Sequence, residues 1–350
     1  MTATQPRVPQ PPSQRRGRRR GELTVAAVAR LAGVSAPTVS KVLNGRAGVA
    51  VSTRRRVEAV LLEHGYQRPD AIAPAAILEV AFHQLESHLA VEIMRGVEQV
   101  AREQELAVGF TELSGRDGGS RTWTDEVLAR RPTGVIVVYS DHTAQQQAQL
   151  AASGIPLVAL DPTGQPLHST PSVGATNWSG GLSATQHLLD LGHRRIAILT
   201  GPADYLCSRA RLDGYRAAMD AAGVPVDPRL IKVGRFCVPD GLAFGTDLLR
   251  MRDAPTAIFA SNDLLAIGVY EAARRAGVDI PGQLSVIGFD DMEYARWCGP
   301  PLTTVRQPLV DMGATAARLI LTLAAGHRPA QTRIELATTL VLRQSTAAVA

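Results

Sequence analysis

The sequence predicts an α/β protein in two parts: a small N-terminal all-α unit built on a helix-turn-helix, and a larger core of parallel sheets. Three observations carry this. Residues 23–44 read LTVAAVARLAGVSAPTVSKVLN, two short helical runs with a glycine between them. From Leu78 onward, short apolar strand-like runs alternate with helix-like runs. The positive charge is confined to the first part. Residues 1–70 hold 13 Lys or Arg and 4 Asp or Glu, a net of +9; the whole chain is +5, so residues 71–350 carry −4.

Residues 1–22 contain Pro and Gln, run through RRGRRR at 15–20 and show no hydrophobic periodicity. A disordered basic tail is expected there. It either adds nonspecific phosphate contacts or is a solvated charge run. The helical headpiece spans residues 23–66. Thr24 is placed to cap a first helix that runs to about Leu31. Ala29 is small where two helices cross, and Gly33 can take the positive φ of the turn. Val34, Val39 and Val42 form the apolar side of the second helix, which Ser35 caps. Ala36, Pro37, Thr38 and Lys41 then project from its N-terminal half, the half that meets base edges in such motifs. The bare Ala…Gly…Val spacing also fits any helical hairpin. The basic excess on the same unit favours double-stranded DNA as the partner.

Each side chain on that face has a role its chemistry allows. Ala36 can offer a methyl to a thymine, and Pro37 carries no donor but is tolerated in a first turn. Lys41 is best able to reach guanine O6 or N7. Thr24, Thr38, Ser40 and Asn44 suit phosphates. A third helix is expected to begin at Thr53 and Arg54 and to run to about Gly65. Its basic cluster at 54–56 would attract the DNA backbone, and Leu61 and Leu62 would be core.

In the larger part, strand-like runs lie at 78–82, 134–139, 156–160, 195–200, 256–260 and 284–289. Helix-like runs lie near 91–104, 181–192, 209–223 and 262–277. Strands separated by helices of this length imply βαβ units and parallel sheets covered on both faces. About ten strands fit two such sheets better than one. No apolar run approaches the ~20 residues of a membrane span. No apolar segment follows the basic N-terminus, so no secretory signal is read. Cys207, Cys237 and Cys298 are too far apart for a metal-ligand spacing or a disulfide framework. The expectation is a cytoplasmic protein with reduced thiols, no metal, no cofactor and no membrane partner. There is no nucleophile elbow, and the glycines of NWSGGLSA lack the lysine of a phosphate loop, so no enzyme is expected.

Longer motifs now matter: TVAAVARLAGVSAPTVSKVLNG, VGATNWSGGLSATQHLLDLGHRRIAIL at 173–199, SRARLDGYRAAM at 208–219, ASNDLLAIGVYEAARRAG at 260–277 and LSVIGFDDMEYARWCGPPLTTVRQP at 284–308. In this order they resemble the LacI/GalR family of bacterial transcription regulators, from about Leu23 to the end. The resemblance implies a helix-turn-helix headpiece (23–66), a hinge (67–77) and a two-lobed, periplasmic-binding-protein-like core (78–350). The first lobe would be about 78–173 and 307–335, and the second about 174–306 and 336–343. It also implies a small-molecule effector between the lobes and a homodimer whose paired headpieces read a pseudo-palindromic operator. The chain lacks a leucine-heptad tail, so a dimer is expected rather than a tetramer.

The family match assigns cleft residues one by one. Arg211 matches the arginine whose guanidinium forks onto effector hydroxyls or a carboxylate. Asn262 and Asp290 follow strands and face the cleft, while Asp263 caps the helix that follows it. Asp161 and Gln307 complete the set. Phe236 matches an aromatic wall, and Trp297 lies near the cleft mouth. The loop at 83–87 is a further lining candidate. For each carboxylate the alternative is a helix cap or a loop salt bridge. The set suits a carbohydrate effector, with a purine as the other option.

The hinge departs from the family. The usual Ala-Arg-x-Leu is absent from GYQRPDAIAPAAILEVAF, the spacing is short, and Pro74 interrupts any helix. Ile72 is the one apolar candidate for a minor-groove wedge, or else a linker residue tucked against the core. Two readings follow. One is a ligand-responsive DNA-binding regulator, most often a repressor released by a sugar and associated with the nucleoid when bound. The other is a cytoplasmic sugar-sensing protein whose short hinge has weakened operator function.

Overall fold

The computed structural model describes residues 24–43, 49–63, 74–82, 88–113, 122–139, 143–164 and 170–349. The chain divides into two compact units, Met1–Ala73 and Pro74–Ala350. The expectations for the tail, Asn44, the 83–87 loop, Ile72 and most of the hinge lie outside the described residues.

In the first unit three helices pack together: α1 (Val25–Leu31), α2 (Ala36–Leu43) and α3 (Val51–Glu63). Thr24 caps α1 by accepting from the amide of Ala27 at 3.2 Å. Ser35 accepts from the amide of Thr38 at 3.3 Å at the start of α2. Gly33 sits at φ +62°, and a Cβ there would meet nothing within 4 Å, so the backbone angle alone calls for glycine. Val28, Ala29, Ala32, Val39, Val42 and Val57 form the buried centre. α3 begins at Val51, earlier than Thr53, because the amide of Arg54 already reaches the carbonyl of Ala50 at 2.9 Å.

The second unit holds two sheets. The first contains β1 (Ala75–Phe82), β2 (Ala107–Glu112), β3 (Pro132–Val138), β4 (Leu157–Leu160), β5 (Ser172–Ala175) and β11 (Arg333–Leu336). Its order is β11-β5-β4-β3-β1-β2, parallel throughout. The second contains β6 (Ile196–Thr200), β7 (Ile231–Val233), β8 (Ala257–Ala260), β9 (Ser285–Asp290), β10 (Thr303–Arg306) and β12 (Thr339–Val341). Its order is β12-β10-β9-β8-β6-β7, and β12 alone runs antiparallel, against β10. Four of the strands that carry no clear apolar run, β2, β7, β11 and β12, are sheet edges, where half the side chains face solvent.

Helices cover both faces of each sheet, which is why the inner strands read as continuous apolar runs. On the first sheet these are α4 (His88–Glu103) and α11 (Leu309–Ala324) on one face, α5 (Trp123–Arg130) and α6 (Ala144–Ala152) on the other. On the second they are α7 (Asn177–Asp190), α8 (Leu206–Ala221), α9 (Val238–Leu249) and α10 (Asp263–Ala276). The chain passes between the lobes after β5, after β10 and between β11 and β12. Two of these crossings are tied together: the amide of Thr338 donates to Thr176 Oγ1 at 2.9 Å. No helix among the described residues is long and apolar enough to cross a membrane.

Candidate ligand cleft and nucleic-acid face

The cleft is assembled from chain segments that leave the carboxyl ends of β3, β4 and β9, where ligands of open α/β sheets sit. Three of these turns strain the backbone. Tyr139, Asp161 and Asp290 have φ of +48°, +45° and +115°, each in a region that L residues avoid. The next residue, Asp291, is also left-handed and is held from behind by Arg306, whose Nε reaches it at 2.7 Å, and by Arg343.

Arg211 is the centre. It rises from α8, which crosses α7 so closely that a Cβ on Gly181 would lie 2.3 Å from the Arg211 carbonyl, and one on Gly214 2.2 Å from the Trp178 carbonyl. Gly181 and Gly214 therefore set the depth of α8 and hence of the arginine. Arg211 is 3% exposed. Its Nε donates to Asn177 Oδ1 at 2.9 Å and its Nη1 to the Ser261 carbonyl at 2.6 Å. Its guanidinium stacks 3.7 Å over the Phe289 ring and lies 5.8 Å from that of Phe236. Asp290 Oδ1 stands 3.8 Å from Arg211 Nη1 and accepts from Gln307 Nε2 at 2.7 Å.

Around this fixed arginine, buried polar atoms stand without hydrogen-bond partners. Among the described residues they include Tyr139 Oη, Asp161 Oδ2, Ser208 Oγ, Ser261 Oγ and Gln307 Oε1. Leaving such an atom unpaired costs on the order of 1–3 kcal/mol, so a cluster of them points to a ligand that supplies the missing bonds. Burial pushes the Asp161 and Tyr139 groups up, and pushes the Cys207 thiol up to about 12, which keeps it a neutral thiol.

Arg211, Asp290, Gln307, Asp161 and Phe236 thus come together as the sequence suggests. Asn262 is buried nearby, but its side-chain oxygen caps α10 by accepting from the amide of Leu265 at 2.9 Å. That corrects the role given to Asp263. The cap position needs extended backbone, which Asn262 has; Asp263 is already helical and instead accepts from Thr304 Oγ1 at 2.6 Å and the Met292 amide at 2.8 Å. Trp297 stays apart: it ends a short turn whose buried residue is Ala295 and is itself 80% exposed. Tyr139, Asn177, Ser208, Ser261 and Phe289 escaped sequence reasoning. Only the position of Tyr139, Ser261 and Phe289 at strand ends could have flagged any of them.

In the headpiece, Ala36, Pro37, Ser40 and Lys41 are exposed on the side of α2 away from Val39 and Val42. The hydroxyls of Thr38 and Ser35 lie 2.8 Å apart, Thr38 is half-buried, and so are Thr24 and Arg54.

Comparison with known proteins settles the family. The profile described as "Bacterial regulatory proteins, lacI family" matches residues 24–69, and one for a periplasmic binding protein-like domain matches 185–346. The HTH-type transcriptional regulator DegA of Bacillus subtilis is 34% identical over 336 residues, 92% of this chain and 98% of that protein. The chain belongs to the LacI family. Within it, the ribose operon repressor of Escherichia coli is 32% identical, over 92% of this chain and 99% of that one. Among solved structures, the CelR–cellobiose complex superposes with a TM-score of 0.71 at 31% identity, covering 92% of this chain and 99% of that chain. These LacI-family relatives are transcriptional regulators, so this chain's two units have the architecture of a DNA-binding headpiece and a ligand-binding core.

Proposed function

We propose that this LacI-family member is a transcriptional repressor that acts in the cytoplasm as a homodimer and is released from its operator by a neutral carbohydrate bound between its lobes. The observation that carries this reading is the ring of unpartnered buried hydroxyl, carboxylate and amide oxygens around a rigidly held Arg211. A polyol supplies donors and acceptors to such a ring; the carboxylates Asp161 and Asp290 accept from hydroxyls, and Arg211 donates to ring or hydroxyl oxygens. Names of two relatives include sugars, ribose and cellobiose, which supports the class. Effector and operator then oppose each other by linkage: each favours a different arrangement of the lobes.

The test is fluorescence anisotropy of the full chain on DNA upstream of its own gene, at fixed salt, with a sugar panel. Nanomolar binding that scrambled DNA does not match, reversed by one sugar, is the expected result. Salt-sensitive binding blind to sequence and to every sugar would overturn the reading. In the same assay Lys41→Ala is expected to weaken specific binding by about 1–3 kcal/mol and to relax one base position. An unchanged base preference would remove Lys41 from the readout.

A pH dependence follows from Asp290. Burial pushes its carboxyl up to about 6, although Arg211 and the Gln307 amide pull the other way. The group's folded value lies above the ordinary ~3.9, so its contribution to stability is whole below that pH and is lost as pH rises to about 6. Effector hydroxyls donating to the carboxylate favour its ionised form. Binding at pH 5 should therefore release a proton, and binding at pH 8 should not. Calorimetry in two buffers of different ionisation heat reads this directly; identical heats at pH 5 would refute it.

A further inference from the structure

Beside the Arg211 cluster lies a cavity of about 410 Å³. That is within the roughly 300–1,000 Å³ usual for ligand sites. It is walled by the ends of β5 and β11, the first turn of α7 and the start of α8. Small residues keep it open: a Cβ on Gly174 would meet nothing closer than Asp161 Oδ1, 3.9 Å away.

Three residues join this cavity to the cluster: Asn177, which lines it and accepts from Arg211 Nε at 2.9 Å, and two more. Asp161 and Cys207 line it, and both also lie within electrostatic reach of Arg211. Asp161 is 7% exposed and its Oδ2 has no partner, so the cavity wall carries a buried acceptor still to be satisfied. Trp178, a large aromatic left 47% exposed at the N-terminal end of α7, also lines the cavity. Its backbone is pinned by the close crossing of α7 on Gly214. An aromatic face that stacks on apolar C–H surface, beside acceptors that take hydroxyls, suits a pyranose ring.

We propose that this cavity is a second sugar subsite, continuous through Asp161 with the Arg211–Asp290 site, so that the effector is a neutral disaccharide or longer glycan rather than a single ring. The inference rests on the carbohydrate reading above and narrows it to a size class. No residue of the subsite was singled out by the sequence except Asp161, because its walls are strand ends and helix starts brought together only by the two lobes.

The experiment is calorimetric titration of the full chain with matched pairs: glucose and cellobiose, xylose and xylobiose, galactose and lactose, mannose and mannobiose. For one pair the disaccharide should bind about tenfold or more tightly than its monosaccharide, a difference of ~1.4 kcal/mol. Trp178→Ala and Glu335→Gln, both at exposed side chains, should close that gap by weakening the disaccharide. A monosaccharide that binds as tightly as any disaccharide, or a gap that both variants leave intact, would overturn the subsite while leaving a sugar-responsive regulator. If no sugar of either length binds protein that still holds its own upstream DNA, the carbohydrate reading falls and the subsite with it.

Discussion

Arg211→Ala is expected to abolish release of operator DNA by the effector while DNA binding itself persists. The arginine makes two hydrogen bonds to the protein, lies 3.8 Å from Asp290 and stacks on Phe289, all out of contact with water. Removing one member of a buried pair costs about 3–5 kcal/mol, because the remaining charge is left uncompensated. Part of that loss falls on the stability of the core and part on the ligand, whose oxygens lose a fork of donors. Effector affinity should drop by roughly 100-fold or more, about 2.8 kcal/mol at 1.4 kcal/mol per tenfold. A thermal melt separates the two effects. Arg211→Lys keeps the charge but not the planar fork, so it should restore much of the stability and little of the response. A folded alanine variant that still releases DNA at the wild-type sugar concentration would remove Arg211 from the site.

Val39→Asp is expected to eliminate DNA binding and leave sugar binding in place. Val39 is fully buried and is one of the six small apolar residues that form the centre of the three-helix unit. A core this small supplies only a few kcal/mol of stability. Placing a carboxylate in it without a partner costs several kcal/mol, enough to unfold the unit. The second unit has its own larger cores on both faces of both sheets, and none of them includes Val39. Calorimetric sugar titration should therefore match the parent protein while anisotropy on operator DNA goes flat. Retention of operator affinity would mean that the headpiece tolerates a buried charge, and the packing described for α1 and α2 would be wrong.

The strands β1, β3, β4, β6, β8 and β9 were all legible, because each is an inner strand with an apolar run buried on both faces; β5 and β10 are inner strands too, but SVGA and TTVR carry no such run. Edge strands such as β7 and β11 were not, since exposure on one side removes the apolar run. The headpiece turn was legible from Gly33 alone, whose φ of +62° is a demand made by the backbone and not by neighbours. Boundaries were less legible. The start of α3 depends on which carbonyl the Arg54 amide finds, and the sequence carries no cap there to announce it.

The site divides in the same way. That Arg211, Asp290, Asp161 and Gln307 belong to one chemistry was implied by the family resemblance, and Asp161, Asp290 and Gln307 also stand at the carboxyl ends of strands. What each does once there could not. Asn262 and Asp263 are adjacent polar residues, and only the extended backbone at Asn262 makes it the cap and leaves Asp263 to bind Thr304 and Met292. Trp297 carries the same ring as Trp178, yet one points into solvent beyond Ala295 while the other lines a cavity.

By itself the sequence determined the two-part architecture and the face of α2 turned away from its core, since these follow from local periodicity, turn geometry and charge; the arginine at the centre of the cleft was implied by the family resemblance. Which polar atoms are left unpaired, how deep Arg211 sits beneath the α7–α8 crossing and that a second chamber opens beside Asp161 were decided by tertiary structure. Burial and hydrogen-bond partnership depend on groups far apart in the chain, such as Gln307 on Asp290 and Asn177 on Arg211, and no local pattern records where those groups will meet.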